Sequence, residues 1–252
     1  MSPTDLIQIA ALVLFAAPAV LFVLLAFPTL IGKPFSEWVT SLLVNTTFIL
    51  STIACLIVII TMVVYDFTQM TVPVGIWYTS GDHTFEIGLL VDSLSLPFSG
   101  LTAVLCGVTA AFSNRYLHRE SGYNRFFILV ALFASGLQMI ALGDNIQLTF
   151  VGWECIGLSS VLLIGFFHDR PAPIQNAYKT FVIYRTTDIG LLCAAGYLHF
   201  LIGSGKYIEI SQTTWASGTS NLTGEPATII LLFILIAVAG KSALFPFSGW
   251  LP

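Results

Sequence analysis

The sequence contains very few charged residues. Asp, Glu, Lys and Arg together make up 9% of its 252 residues, whereas hydrophobic residues make up 56%. The mean hydropathy is +0.91. This balance excludes an ordinary soluble domain, and no basic cluster is present that would hold nucleic-acid phosphates. It is typical of a protein whose solvent is the lipid bilayer.

Cysteine is scarce as well. The four cysteines stand singly in different apolar segments, without the spacing of a zinc site, a haem attachment site or a redox motif: Cys55, Cys106, Cys155 and Cys193. We interpret them as small packing residues. We therefore expect no cofactor, no metal and no redox or catalytic site in this chain.

Long apolar runs dominate the rest of the sequence. There are seven, at residues 6–31, 41–65, 88–113, 125–142, 146–167, 176–203 and 227–247. In hydrocarbon every backbone amide needs an internal partner, and runs of about 20 residues meet this need as helices. The sequence thus predicts an all-α, polytopic bundle of about seven transmembrane helices. The first run has no basic flank before it, which favours a spanning helix over a cleaved signal peptide.

Basic residues in the connections predict the orientation. Six of them fall in connections that would share one side of the membrane: Lys33, Arg115, Arg119, Arg125, Arg170 and Lys179. The other side receives only Lys206. The positive-inside rule therefore places the N-terminus outside and the C-terminus inside.

Four ionisable residues stand deep inside apolar runs: Glu154, Arg185, Asp188 and Lys241. A charge near the bilayer centre costs roughly 2.5 to 3.5 kcal/mol on insertion scales, so it needs a partner, a cavity or a function. Arg185 and Asp188 are three residues apart and could pair with each other on one helix face. Glu154 and Lys241 have no local partner, so we expect them to meet across helices or to face water.

A lysine beside a carboxylate in a low-dielectric setting has strongly coupled protonation, which is the physical basis of a proton relay. The alternative is a static ion pair that only holds the bundle together, although apolar packing would do this without desolvating two ions. Gly240 and Pro246, on either side of Lys241, predict that the last helix is interrupted, as helices at transport sites often are. His199, nearer the outer end of its run, could serve an exit route.

Four motifs follow one another between residues 115 and 252. They are Arg115-Tyr116-Leu117 with Gly122 to Phe127, Gly152-Trp153-Glu154 with Leu162 to Phe166, Arg185 to Asp188, and Gly240 to Ala243 with Pro246 and Trp250 to Pro252. This order resembles the antiporter-like membrane subunits: the proton-pumping subunits of respiratory complex I, above all its largest distal one, and their relatives in multisubunit cation/proton antiporters. The resemblance runs from about Val91 to Pro252. It divides the chain into N-terminal helices at 1–90 and an antiporter-like domain at 91–252.

The resemblance implies a role for each buried charge. Glu154 corresponds to the glutamate of the family's conserved ion pair, and Lys241 to the central lysine on the broken helix. Asp188 is similar to the family's acidic residue that follows an arginine, here Arg185. Together with His199, these are the predicted proton-translocation residues.

Two features depart from the complex I pattern. Thr186-Thr187 precedes Asp188 where the family usually has a small residue, and the connection Phe167 to Pro171 is unlike the complex I version. Both resemble homologues that partner a large soluble zinc protein in bicarbonate or CO2 uptake. The predicted function is therefore proton translocation in a complex resembling NADH:quinone oxidoreductase. A subunit of an inorganic carbon uptake system, a subunit of a cation/proton antiporter and a purely structural membrane scaffold are the alternatives.

The resemblance also implies partners. Family members carry a second, inverted repeat beyond the broken helix, so we expect either a separate chain that supplies it or a sequence that is a fragment or a truncated gene. The other expected partners are further membrane subunits, protons and the lipid bilayer, with a large soluble zinc protein under the carbon-uptake alternative and no nucleic acid. The expected location is the inner (cytoplasmic) membrane, as a multi-pass protein.

Overall fold

The computed structural model describes residues 2–80, 83–215 and 224–250. The helices within these ranges are α1 (Pro3–Leu30), α2 (Glu37–Val64), α3 (Ser95–Tyr116), α4 (Tyr123–Leu142), α5 (Ile146–Ile164), α6 (Pro171–Ile202), α7 (Tyr207–Trp215) and α8 (Glu225–Lys241). Two strands, β1 (Gln69–Ser80) and β2 (His83–Asp92), lie between α2 and α3, and a short 3-10 helix covers Ser248–Trp250.

Five of the described helices, α1 to α5, are long and apolar enough to cross a membrane. The other two apolar runs also fold as helices. Of these, α6 carries Lys179, Arg185 and Asp188 within its 32 residues, and α8 has 17 residues. All seven predicted runs therefore lie mainly on helices, because intrahelical hydrogen bonds satisfy the backbone without help from the solvent.

The prediction of an all-α fold is wrong between α2 and α3. There β1 and β2 pair antiparallel, with Gln69 opposite Asp92 and Thr79 opposite Thr84. Gly81 and Asp82, which stand between the two strands in the sequence, lie outside the described residues. Strand β1 is rich in β-branched and aromatic residues, which favour strands, but it is not apolar enough to stand out as a membrane run.

The strand β2 also explains why the third apolar run, predicted at residues 88–113, begins before the helix does. Leu89 and Val91 are fully buried, and they belong to the core of the N-terminal part together with Ile7, Leu14 and Val58. Their hydrophobicity therefore reflects burial against α1 and α2 rather than the start of a spanning helix, which begins only at Ser95.

The chain forms two compact units, Met1–Gly143 and Asp144–Pro252. In the first unit α1 packs against α2 and α4, and α3 packs against α2 and α4. The boundary predicted at residue 90 falls within β2, whereas the two compact units divide after Gly143.

Polar contacts join three helix ends of the first unit. Glu37, at the start of α2, accepts a hydrogen bond from the main-chain nitrogen of Arg119 at 3.0 Å, and its other oxygen lies 2.7 Å from Nδ1 of His118. Nearby, Thr40 donates to the side-chain oxygen of Asn124 at 2.6 Å. These contacts hold α2, α3 and α4 together on the side that the basic residues predict to face inward.

In the second unit, α6 packs along α5 and α8. Tyr207 of α7 joins this group through a 2.6 Å hydrogen bond between its hydroxyl and that of Thr149 on α5. Burial raises the pKa of Tyr207 and the carboxylate of Asp144 adds to the rise, while the hydrogen bond with Thr149 opposes it. The phenol is therefore neutral at physiological pH and links α7 to α5 through an uncharged hydrogen bond.

Helix α8 ends at Lys241, at the predicted interruption. The main-chain nitrogen of Ser242 still donates to Val238 at 2.9 Å, but Ala243 has a positive φ of 52° and the chain turns away. The 3-10 helix follows after Pro246. Leu251 and Pro252, the last residues of the family motif, lie outside the described residues.

Gly190 allows α6 and α8 to approach each other closely, and this predicts a packing effect. A Cβ atom at Gly190 would press on the main-chain oxygen of Phe233 and lie 3.3 Å from Cβ of Ile236. Because a backbone atom cannot move aside cheaply, we expect Gly190→Ala to lower the free energy of unfolding by about 1 to 3 kcal/mol. Thermal unfolding of the detergent-purified protein measures this.

The matched control is Gly196→Ala, on the same helix. Nothing lies within 4 Å of a Cβ atom at Gly196, so the better helix propensity of alanine is the main expected effect, a gain of up to about 1 kcal/mol. Equal unfolding temperatures for the two variants would contradict the close packing of α6 on α8.

Candidate functional site

The second unit brings the four predicted charged residues together from three helices. Glu154 lies in the middle of α5, Arg185 and Asp188 lie in the middle of α6, and Lys241 is the last residue of α8. Helix α5 starts at Asn145, whose side-chain oxygen accepts a hydrogen bond from the main-chain nitrogen of Leu148 at 2.8 Å. From its first residue the helix rises about 12 Å to Glu154, which places the carboxylate well inside the apolar span.

Glu154 forms a salt bridge with Arg185. One carboxylate oxygen of the glutamate accepts a hydrogen bond from Nη1 of the arginine, which links α5 to α6. The guanidinium also lies 5.5 Å from the ring centroid of Phe181, one turn earlier on α6. This pair is only partly buried, since the arginine side chain is 47% exposed and the glutamate side chain 24%.

Lys241 and Asp188 form a second, more deeply buried pair. The Nζ atom of Lys241 lies 3.8 Å from Oδ2 of Asp188, and the two side chains are only 11% and 4% exposed. Trp153 contacts both members of the pair. Its indole Nε1 donates to Oδ1 of Asp188 at 2.6 Å, and its main-chain oxygen accepts a hydrogen bond from Nζ of Lys241 at 2.5 Å.

Aromatic rings complete the surroundings of the ammonium group. The Nζ atom of Lys241 is 4.9 Å from the ring centroid of Trp153 and 5.1 Å from that of Tyr184. Tyr184 packs edge to face against Trp250 at 5.2 Å, and the indole of Trp250 donates to the main-chain oxygen of Gly240 at 2.9 Å. The segment after the break thus folds back onto the site, and the ring faces stabilise a desolvated cation by about 2 kcal/mol or more.

Two glycines provide the space for this arrangement. A Cβ atom at Gly157 would lie 2.8 Å from Nζ of Lys241, so a side chain there would occupy the position of the ammonium group. Gly240 lies so close to Thr187 that a Cβ atom on it would overlap the threonine side chain. Thr187 is one of the two threonines that depart from the family pattern, and it packs directly beside the lysine-bearing end of α8.

The pairing differs from the two arrangements considered from the sequence. Glu154 pairs with Arg185 and not with Lys241, and no salt bridge joins Arg185 to Asp188, although all four residues are in the described part of the chain. The long arginine side chain reaches across to α5. The short aspartate side chain instead meets the donors that Trp153 and Lys241 supply, and each desolvated charge is thereby compensated across a helix interface.

His199 lies apart from this cluster. It occupies the last turn of α6, eleven residues beyond Asp188, which corresponds to about 16 Å along the helix axis. The structure thus brings four of the five predicted site residues together and leaves the fifth near the end of α6.

Sequence reasoning missed Trp153, Tyr184 and Gly157 as parts of the site. Trp153 had a usable signal, because an indole N–H buried in a span needs an acceptor, and the residue directly precedes Glu154 in the family motif. Tyr184 and Gly157 had none, since their roles depend on how α5, α6 and α8 are rotated.

Two family models match the sequence. The one described as the transmembrane region of NADH:quinone oxidoreductase and the Mrp antiporter matches residues 143–252. The one described as the N-terminus of NADH-ubiquinone oxidoreductase (complex I) chain 5 matches residues 77–127. The first match contains all five predicted site residues.

Curated relatives agree with these matches. NAD(P)H-quinone oxidoreductase chain 5 of Synechocystis sp. is 29% identical over 217 residues, which cover 83% of this chain and 31% of that protein. Subunit L of NADH-quinone oxidoreductase from Escherichia coli is 32% identical over 182 residues, which cover 71% of this chain and 29% of that protein. The chain therefore spans less than a third of the length of these relatives.

Solved structures share the fold. A chain of the membrane-bound sulfane sulfur reductase, an archaeal respiratory membrane complex, matches with a TM-score of 0.76 and 18% identity, over 96% of this chain and 46% of that chain. A chain of the Mrp complex from Dietzia sp. matches with a TM-score of 0.67 and 23% identity, over 100% of this chain and 25% of that chain.

The buried pair predicts a strong dependence of stability on both partners. Lys241→Met would leave the Asp188 carboxylate buried with only the Trp153 donor, so we expect a loss of about 3 to 5 kcal/mol in the free energy of unfolding. The double variant Lys241→Met, Asp188→Asn removes both charges and should recover most of this loss. Unfolding titrated with a denaturing detergent measures both values.

The control is Lys179→Met, an exposed lysine on α6, which should leave the stability nearly unchanged. A double variant no more stable than Lys241→Met alone would show that the two charges do not compensate each other.

Proposed function

Because the chain belongs to the antiporter-like membrane subunits of the NADH:quinone oxidoreductase and Mrp type, we propose that it translocates protons across a membrane as part of a larger complex. The observation that carries the proposal is the buried pair of Lys241 and Asp188, with side chains 11% and 4% exposed and Nζ 3.8 Å from Oδ2. Ionisable groups this deep in a membrane protein mark ion pathways and proton relays.

The proposed chemistry is a proton shift between a lysine and a carboxylate. When the ammonium of Lys241 passes a proton to Asp188, two opposite charges become two neutral groups, so the step needs little solvation from outside. Asp188 would then release the proton onward, and Lys241 would take up another. Because each transfer changes the field at the other group, the two protonation equilibria are coupled.

The pair Glu154 and Arg185 supplies the means of control. While Arg185 holds Glu154, the negative charge of the glutamate is largely compensated. When the arginine moves away, the uncompensated carboxylate stabilises the ammonium form of Lys241, since Coulomb interactions are strong where the dielectric is low. The partial exposure of this pair favours it as the one that opens.

The rest of the chain has proposed roles as well. Residues 91–252 form the translocating domain and residues 1–90 support it. His199, in the last turn of α6, is proposed as an exit-side group. The proposed location is the inner (cytoplasmic) membrane, with the N-terminus outside and the C-terminus inside, because the basic residues of the connections favour that orientation.

The proposed partners are other membrane subunits, among them a separate chain that carries a second repeat. Three copurification outcomes distinguish the kind of complex. Hydrophilic iron-sulfur subunits that copurify with the chain would favour an NADH:quinone oxidoreductase, whereas one large soluble zinc protein would favour the inorganic carbon uptake alternative. Further antiporter membrane subunits alone would favour a cation/proton antiporter.

The proposal predicts the effect of removing the central amine. Lys241→Ala is expected to lower the proton flux per assembled complex by about a hundredfold, because no group remains to donate to Asp188. Glu154→Gln should lower it less, since the pair of Lys241 and Asp188 stays in place. Flux is measured with a pH-sensitive dye in proteoliposomes that contain the purified complex.

Lys179→Met is the control for the loss of a lysine, because this exposed residue lies outside the site. Under the scaffold alternative, Lys241→Ala and Glu154→Gln would change only the amount of assembled complex. Unchanged flux per assembled complex in both variants would therefore overturn the proposed function.

The proposed orientation predicts which connections a membrane-impermeant maleimide reaches. A cysteine at Thr79 of β1 should react in intact cells, and a cysteine at Glu120, between α3 and α4, should react only after the membrane is permeabilised. The unsubstituted protein, with its native cysteines, provides the background. The reverse pattern would place the N-terminus inside.

A further inference from the structure

We infer that Trp153 is the positioning residue of the proposed proton-transfer step. It would keep the side chains of Lys241 and Asp188 at a fixed separation in both protonation states. The inference rests on the proposed function. One residue contacts both members of the pair through two different atoms: its indole nitrogen lies 2.6 Å from Oδ1 of Asp188 and its main-chain oxygen 2.5 Å from Nζ of Lys241.

The main-chain oxygen of Trp153 is a fixed hydrogen-bond acceptor for the amine of Lys241. A carbonyl oxygen has two lone pairs, of which the helix uses one, so the second can accept from Lys241. An ammonium and a neutral amine both have N–H groups to donate. The lysine can therefore keep this hydrogen bond before and after it gives up a proton. Gly157 leaves the approach to the carbonyl open, because any side chain there would collide with Nζ.

The indole of Trp153 is a fixed hydrogen-bond donor for the carboxylate of Asp188. An indole N–H only donates, so Oδ1 of Asp188 stays an acceptor whether the carboxyl group is charged or neutral. This leaves Oδ2, the oxygen 3.8 Å from Nζ of Lys241, as the atom that takes the proton. The indole thus selects which carboxylate oxygen reacts.

The transfer itself is a simple exchange. An N–H bond of the Lys241 ammonium breaks, its electron pair stays on Nζ, and an O–H bond forms at Oδ2 of Asp188. A gap of 3.8 Å is longer than a hydrogen bond of about 2.7 to 3.2 Å, so the two atoms must approach by roughly 0.6 to 1.1 Å or share a water molecule. The two hydrogen bonds to Trp153 would keep the distance between Nζ and Oδ2 nearly constant while the charges change.

The test is Trp153→Phe in the reconstituted complex, which keeps an aromatic ring and removes the N–H group. Loss of a donor to a carboxylate favours the protonated carboxyl group. We expect the rising limb of the flux-against-pH profile to move about one unit to higher pH. We also expect about tenfold lower flux with unchanged assembly. Trp38→Phe, at a tryptophan that is 73% exposed on α2, is the matched control and should match the unsubstituted protein.

Gly157→Ala tests the contact between Lys241 and the main-chain oxygen of Trp153. It also replaces Trp153→Phe as the test if that variant does not assemble. Only the flexible end of Lys241 has to move to admit the new methyl group, so the protein should fold and assemble normally. The displaced amine should lose the Trp153 carbonyl, and the flux should fall about tenfold.

The outcomes separate this inference from the proposed function. Trp153→Phe and Gly157→Ala with normal rate and normal pH profile would overturn the inference, while a Lys241→Ala variant without flux would leave the proposed function standing. A lower rate of Trp153→Phe with an unshifted profile would mean a purely structural role and also overturn it. Normal flux in Lys241→Ala would overturn the proposed function and the inference together.

Discussion

A charge inside hydrocarbon needs compensation from the protein, and the second unit is arranged around this requirement. Glu154 on α5 meets Arg185 on α6, and Asp188 on α6 meets Lys241 at the end of α8. Each pair joins two different helices, so the charges that are hardest to bury also determine how α5, α6 and α8 pack. Removing one member would leave its partner uncompensated, which costs more than the pair itself contributes.

The two pairs differ in how accessible they are, which the proposed relay would use. The pair of Lys241 and Asp188 is nearly inaccessible and is held by two contacts with Trp153 and by two aromatic faces. The pair of Glu154 and Arg185 is more open and lies next to it in sequence and in space. Trp153 and Glu154 are consecutive residues of α5, so a change at the open pair acts directly on the helix turn that holds the closed one.

The sequence contained much of the fold and part of the site. Apolar runs predicted the positions of seven helices, since length and hydrophobicity decide what can cross a bilayer. The strand pair β1 and β2 was missed because Leu89 and Val91 are apolar for burial in the first unit, and a sequence pattern does not distinguish such burial from a membrane span. Depth along a helix indicated that Glu154 and Lys241 lie well inside apolar runs. Their partners depend on helix rotation and on Gly157, and single-sequence periodicity does not contain that information.

The end of α8 has an electrical consequence of its own. Lys241 is the last residue of the helix, where the aligned peptide dipoles amount to roughly half a negative charge. This partial charge cannot be protonated, and it would stay in place at every stage of the proposed relay. In the proposed relay it would favour the ammonium form of Lys241 by about 0.3 to 1 kcal/mol, so the neutral amine would take up a proton readily whenever a donor comes near.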